Sequence, residues 1–315
     1  MNYGNLVRRP FEIVARRPYL WLLGFLAGGA TAFHLSGNGP GQGRHTGSGA
    51  YSGPSWAVLQ AIWNENWGWM VGILAFLIVL AVVLFILGSI ATGGIIHAAV
   101  EHDAGRDYRF GTAWRAGYAT GWRIAGLRLL VLVVAILPGL LTGALVLGAV
   151  AGAAASPAAA VGFGLLAAVA FLASLVFWLA LSVAFRLAQQ FIVLEDRHVA
   201  ESLSNGFRML RWHLGEIVVG WLILLALSIG VGIAGAILAV AFGIPAVALG
   251  FGGWAIGGLT GAIITGSFAT VFFLGIVLAA GGAYSAYSSV YWTLLFTTLR
   301  NLPAPAPGGA VAPAA

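Results

Sequence analysis

Apolar and polar residues alternate along this chain in long blocks. Six blocks are almost wholly apolar and long enough to cross the hydrocarbon core of a membrane, which takes about 20 helical residues. They lie at residues 18–36, 68–97, 127–151, 158–190, 217–242 and 266–299. The pattern predicts an all-α fold, in which residues 1–302 form one polytopic membrane domain with about six transmembrane helices.

Three further segments depart from this pattern. Residues 37–55 are rich in glycine, serine and proline, which predicts a flexible loop outside the cell. Residues 303–315 are rich in proline and alanine, which predicts a disordered tail. Residues 243–266 are apolar but crowded with glycine, and could form a re-entrant segment, a surface-lying segment or a seventh span. A seventh span would place Arg300 outside the cell, so the first two readings are favoured.

The placement of positive charge predicts the orientation. All 15 basic residues are arginines, and all except Arg44 lie at alternate ends of the apolar blocks. Because cytoplasmic loops carry an excess of arginine, both termini are expected in the cytoplasm. The composition is 60% hydrophobic and 8% charged, whereas soluble domains are about 25% charged. Abundant alanine and glycine without lysine are typical of GC-rich genomes, so we expect a multi-pass protein of the bacterial plasma (inner) membrane.

A weak internal repeat relates two of the arginine-rich segments. Residues 107–126 align with residues 196–215 at an offset of 89, so that one aspartate and two glycines coincide. A looser third copy begins at Val7. The chain would then consist of three units of surface helix and hairpin, at 1–100, 101–192 and 193–302. Any basic amphipathic entry to a span would look similar, and the sequence leaves both readings open.

The arginine-rich segments are candidate contact surfaces. In each copy apolar residues recur every three or four positions with arginines on the other faces, which predicts amphipathic helices lying in the cytoplasmic interface. The net charge of +6 does not indicate nucleic acid, because the arginines are divided among four clusters. Anionic lipid headgroups or a cytoplasmic protein are the expected partners. The candidate contact residues are Arg115, Arg123, Arg208 and Arg211.

A second set of polar residues lies within the predicted spans. Arg186 is followed one helical turn later by Gln190, and Tyr284, Tyr287 and Tyr291 share a face at spacings of three and four. An ionisable residue within a membrane indicates a functional site by default, so this set could line a polar pathway. Equally, Arg186 could extend to the headgroups, and the tyrosines could form hydrogen bonds between helices.

Catalytic and metal chemistry are not indicated. The absence of cysteine excludes disulfides and thiolate sites. His97 and His102 are five residues apart, which on a helix points them about 140° apart and does not give the spacing of a zinc helix. No nucleophile and base can be paired from the sequence. We therefore expect no catalytic residue, no metal and no cofactor.

One part of the chain resembles a known family. It comprises the runs FIVLED at 191–196, AESL at 200–203 and GFRMLR at 206–211, together with YWTLL at 291–295. These runs resemble the membrane domain of glycerophosphoryl diester phosphodiesterases and related uncharacterised bacterial membrane proteins. In the phosphodiesterases the chemistry belongs to a separate soluble barrel domain, so the resemblance implies a membrane domain without that activity.

The sequence thus supports two hypotheses on function. The first is a non-catalytic integral membrane protein that binds anionic lipid or a cytoplasmic partner through its arginine-rich helices. The second is a transporter or channel for a small or lipidic solute. Whether the chain forms homo-oligomers cannot be read from the sequence.

Overall fold

The computed structural model describes residues 3–35 and 56–301, with side chains at 3–28, 67–154 and 156–301. All regular elements in these residues are helices. They are α1 (Tyr3–Arg16), α2 (Tyr19–Leu35), α3 (Trp56–Asp103), α4 (Phe110–Ala155), α5 (Pro157–Glu195), α6 (Val199–Trp212) and α7 (Leu214–Arg300). The predicted loop at 37–55 and the predicted tail at 303–315 lie outside the described residues.

Four helical segments are long and apolar enough to cross a membrane. They are Trp67–Asp103, Phe110–Ala154, Pro157–Glu195 and Leu214–Arg300. The first predicted span corresponds to a shorter apolar helix, Tyr19–Gly28. The all-α prediction is confirmed. The number of long helices differs from six because α2 is short and because α7 contains the last two predicted spans.

The helix α7 is a hairpin of two antiparallel arms, 214–256 and 259–300. Its 87 residues would extend about 130 Å if they were straight. The chain reverses at Gly257 and Gly258, where Gly258 has φ 58° and ψ −146°, a conformation that only glycine adopts easily. The arms then pack together, and the Tyr291 hydroxyl donates to the carbonyl oxygen of Gly220 at 3.1 Å.

The turn of α7 decides what residues 243–266 do. They form the closed end of the hairpin, and are not a separate helix. Pro245 lies inside the first arm and does not end it. At about 1.5 Å per residue, each arm is longer than the roughly 30 Å hydrocarbon core.

The helices α4 and α5 form a second hairpin, which turns at Ser156. The Ser156 backbone is extended, its side-chain oxygen accepts a hydrogen bond from the Ala159 backbone at 3.2 Å, and Pro157 follows as the first helical residue. Serine at the N-cap followed by proline favours the start of a helix, so this short joint both ends α4 and begins α5.

Burial divides each long helix into two halves. Near the arginine-rich ends the helices share one core, in which Leu23, Ile95, Leu187, Tyr291 and Phe296 are fully buried. Toward the hairpin turns, leucine, valine and phenylalanine side chains are exposed throughout. Contiguous apolar surface of this extent is typical of membrane contact. The buried core of the described chain therefore lies near the arginine-rich ends of the helices.

Candidate functional site

One end of the bundle, here called the charged end, carries nearly all of the charge. It comprises α1, the loop at 104–109, the first turns of α4, the loop at 196–198, α6 and Arg300. These segments lie together because they contact the ends of α3, α5 and α7. The candidate site is built on this end and on the cavity directly beneath it.

The apolar faces of the amphipathic helices pack on protein. Leu6, Pro10 and Val14 form the buried face of α1, and the Tyr287 hydroxyl of α7 donates to the Val7 carbonyl oxygen at 3.3 Å. The buried face of α6 includes Gly206 and packs on α5. In both helices the apolar face therefore contacts the helix bundle, and the cytoplasmic-interface position of these helices stays a prediction. Their opposite, arginine-bearing faces remain exposed.

The second expected surface helix is the start of a longer one. Residues 107–126 contain the loop end and the first turns of α4, and no break separates those turns from the rest of α4. Gly117 lies against the backbone of Ile90 and Gly94 on α3, and Gly206 lies against Ala184 and Ala188 on α5. These two glycines coincide in the sequence repeat. Each copy therefore packs on the helix that precedes it, through the same position.

Ion pairs join successive parts of the charged end. Arg9 contacts Asp103 at 2.9 Å and Arg17 contacts Asp107 at 2.5 Å, which fixes α1 against the loop after α3. Further along, Arg123 of α4 pairs with Asp196 in the loop after α5. All of these side chains are at least partly exposed, so each pair contributes about 1 kcal/mol or less to stability.

Other carboxylates pair locally. Glu101 accepts two hydrogen bonds from Arg106, and these raise the pKa of Arg106 above its ordinary value. Arg197 contacts Glu195 at 3.7 Å and Glu201 at 2.6 Å. Among the described side chains, Glu216 alone of the carboxylates has no arginine partner. The negative charge of this end is therefore almost fully neutralised from within the chain.

The four arginines proposed as lipid contacts differ in their surroundings. Arg115 and Arg211 are exposed and have no ion-pair or hydrogen-bond partner in the described chain. Arg208 is exposed, donates to the Asn205 side chain at 2.8 Å and lies 5.4 Å from the centre of the Trp212 ring. Arg123 is held by Asp196. Three of the four arginines are thus available to an external anion.

A cavity of about 240 Å³ lies between α5 and the two arms of α7. Arg186 lines it together with Ser182, Ser228, Tyr284 and Ser288. The hydroxyls of Ser182 and Ser228 donate to carbonyl oxygens of their own helices. Arg186, Tyr284 and Ser288 make no hydrogen bond within the described chain, so their donors are available to a ligand in the cavity.

The proposed polar pathway is only partly assembled. The structure brings Arg186 and Tyr284 together in the cavity. Tyr287 and Tyr291 instead donate to backbone carbonyls, of Val7 and Gly220, and so hold α1 and the two arms of α7 together. Gln190 is 2% exposed, and its side-chain oxygen accepts no hydrogen bond within the described residues.

An apolar groove adjoins the cavity. It has a volume of about 620 Å³ and lies between α1 and the two arms of α7. Phe11, Trp21, Leu227 and Ala280 line it, and Tyr284 lines both the groove and the cavity. A polar cavity and an apolar groove therefore meet at one side chain.

Arg128 is a functional candidate that sequence reasoning missed. It donates to the Thr92 hydroxyl at 2.9 Å and to the Gly88 carbonyl oxygen at 3.3 Å, and it lies 5.9 Å from the centre of the Phe85 ring. It is close enough to Arg186 for the two guanidinium groups to repel each other. Arg128 lies at the start of the third apolar block, and Arg186 lies near the end of the fourth. This similar position relative to the apolar blocks is the sequence signal that could have identified Arg128.

Comparison with known proteins gives a family and no function. A family model matches residues 14–299, and its description is a family of unknown function, DUF7544. No curated protein and no solved structure matches the chain. The match agrees with the expected resemblance to uncharacterised membrane proteins, and it shows no link to the phosphodiesterases.

Proposed function

The chain belongs to DUF7544, a family of unknown function, and from its charges and cavities we propose that it is a non-catalytic membrane protein that gathers anionic lipid headgroups at the charged end. A cytoplasmic acidic protein is the other partner that this surface would suit.

One observation carries the proposal, namely the excess of arginine that remains after the ion pairs are formed. Six arginines pair with carboxylates in the described chain. The other described arginines have no carboxylate within ion-pair distance among the described residues, and they are Arg16, Arg109, Arg115, Arg128, Arg186, Arg208, Arg211 and Arg300. Because all but Glu216 of the described carboxylates already have an arginine partner, most of the counter-charge for these arginines comes from outside the described chain. Anionic headgroups supply about 1 kcal/mol for each basic residue near the surface.

Exposed aromatic side chains support a membrane surface over a protein partner. Phe11, Tyr118, Trp122 and Trp212 are each more than half exposed at the charged end. Tryptophan and tyrosine favour the headgroup level, because their rings are apolar and carry one polar group that water can reach. Arginine beside exposed rings is therefore suited to an anionic lipid interface.

The proposed arrangement in the membrane has six crossings. They are α2, α3, α4, α5 and the two arms of α7, which together bring both termini to the charged end. The excess of arginine there favours the cytoplasm, and the composition favours a bacterial plasma membrane. The three units then follow one another around the bundle, at 1–100, 101–192 and 193–302, with α1 packed on the last arm.

Lipid enrichment around the full-length protein tests the proposal. The protein would be reconstituted with equal amounts of neutral and anionic phospholipid, repurified in mild detergent, and its retained lipid quantified. The variant Arg115→Gln, Arg208→Gln, Arg211→Gln is expected to lower the anionic excess several-fold, since each arginine contributes about 1 kcal/mol.

A charge-neutral control accompanies this variant. Replacing Arg8, Glu12, Glu101 and Arg106 by glutamine removes two ion pairs and leaves the net charge unchanged, so wild-type enrichment is expected. Wild-type enrichment in the triple variant, or an equal loss in the control, would contradict the proposal.

A second candidate function is transport of a small or lipidic anion. It is favoured by the placement of Arg186 and Tyr284 in one cavity. Transport predicts flux of phosphate or phospholipid in reconstituted vesicles that falls on Arg186→Ala. No flux of either solute through the wild-type protein would contradict it.

A further inference from the structure

Arg186 is a cation with an incomplete environment. It lies nine residues before the end of α5, about 13 Å along the helix. No carboxylate and no hydrogen-bond acceptor partners it within the described residues. A charge withdrawn from water is costly unless it is paired and hydrogen-bonded. The Arg128 guanidinium group is close enough to add repulsion and not compensation.

The donors around the cavity select an anion. A guanidinium group offers five N–H donors and no acceptor, and Tyr284 and Ser288 each have a hydroxyl proton without a partner in the described chain. No carboxylate is among the residues that line the cavity. Arginine matches phosphate oxygens through paired, charge-assisted hydrogen bonds. A phosphate group is therefore the ligand chemistry that this cavity suits.

The size of the cavity and its neighbour identify the ligand class. At about 240 Å³ the cavity is below the roughly 300–1,000 Å³ of sites for drug-sized molecules, so it holds a headgroup and not a whole lipid. The groove of about 620 Å³ that shares Tyr284 is lined almost entirely by apolar side chains. One molecule with an anionic head and an apolar tail would occupy both spaces.

We infer that the protein binds one anionic phospholipid at this place, with its phosphodiester on Arg186, Tyr284 and Ser288 and an acyl chain in the groove between α1 and α7. The inference rests on the proposed lipid function and makes it specific, because it separates one bound molecule from the general attraction of lipid to surface arginines. Free phosphate has the same anionic chemistry as the headgroup but has no acyl chain to occupy the groove.

Titration of the delipidated full-length protein with phosphatidylglycerol, followed by native mass spectrometry, tests the inference. The wild-type protein is expected to hold one lipid more tightly than all others. Arg186→Gln should weaken that first lipid about tenfold or more, since hydrogen bonds to charged groups are worth about 1.5–3 kcal/mol. Arg106→Gln, which removes an exposed arginine that is already paired with Glu101, should leave it within about twofold.

The groove is tested separately by a matched pair of variants. Ala280 lines the groove, whereas the adjacent Ala279 does not, and both are exposed. Ala280→Phe should weaken the first lipid several-fold and leave binding of inorganic phosphate unchanged, while Ala279→Phe should affect neither. If Ala280→Phe has no effect and inorganic phosphate displaces the lipid, the site takes a free anion and the lipid assignment is overturned.

The remaining outcomes also decide. If Arg186→Gln binds the first lipid with wild-type affinity, the site is overturned. If that variant does not fold, Arg186→Lys replaces it. Its affinity for the first lipid is expected to fall severalfold, because lysine keeps the charge and loses the paired hydrogen bonds. A first lipid that depends on Arg186 in a protein without surface enrichment supports the site and contradicts the proposed surface function. Surface enrichment without a distinct first lipid supports the surface function and contradicts the site.

Discussion

Gly117 and Gly206 lie where a neighbouring helix passes too close for a side chain. A Cβ on Gly117 would collide with the carbonyl oxygen of Ile90, and a Cβ on Gly206 with that of Ala184. Each glycine therefore sets the distance between two helices at the charged end. The same two glycines coincide in the proposed repeat, and close helix approach is needed at both positions.

A substitution at Gly117 tests this role. Gly117→Ala is expected to destabilise the protein by about 1–3 kcal/mol, because the added methyl group forces α4 away from α3. Gly143, on the same helix, has no neighbour near its Cβ position, so Gly143→Ala should leave stability unchanged or raise it by up to about 1 kcal/mol. Thermal unfolding in detergent measures both. Equal effects of the two variants would contradict the packing role.

At the scale of the element, hairpin turns decide how the apolar stretches are divided. The sequence places two spans between residues 217 and 299 and leaves 243–266 open, because a glycine-rich apolar segment fits several structures. In the fold, helix continues on both sides and the reversal takes only Gly257 and Gly258. Only one of these glycines has a backbone conformation that other residues rarely adopt.

The turn of α7 is testable through that difference. Gly258 has φ 58° and ψ −146°, so Gly258→Ala should cost about 1–3 kcal/mol of strain. Gly257, with φ −126° and ψ 15°, should accept alanine at little cost. The unfolding temperature should fall by a few degrees for the first variant alone. Similar unfolding temperatures for both variants would show that the turn has another conformation.

At the scale of the whole molecule, each amphipathic segment packs on a neighbouring return helix. The first turns of α4 pack on α3, α6 packs on α5, and α1 packs on the second arm of α7. The last contact joins the first and last parts of the chain, so the proposed three units close on one another. The charged end is consequently continuous, while the hairpin turns lie at the far end of the helices.

Cysteine labelling tests the proposed orientation of the whole molecule. The chain has no cysteine, so single substitutions give unambiguous signals. Ser156 lies at the turn between α4 and α5, and Ser204 lies on α6; both are exposed. In intact bacterial cells an impermeant maleimide is expected to label Ser156→Cys at once and Ser204→Cys only after lysis. Labelling of Ser204→Cys in intact cells would reverse the proposed orientation.

The sequence alone determined which residues are apolar helix and where the charge lies. Blocks of about 20 apolar residues have few other structures available in a membrane, because every backbone group must be hydrogen-bonded internally. Arginine is costly within hydrocarbon, so the predicted ends of the helices follow the arginines. Both inferences depend on local composition, which a sequence records directly.

Only the tertiary structure decided which charges and tyrosines have partners. Arg123 and Arg115 are alike in sequence, yet Arg123 is held by Asp196 and Arg115 has no partner among the described residues, because the loop after α5 approaches Arg123. Tyr284 and Tyr291 share a helical face, yet one lines the cavity and the other is sealed against Gly220. These outcomes depend on which helices become neighbours, and helix packing is a property of distant pairs that spacing along one chain does not record.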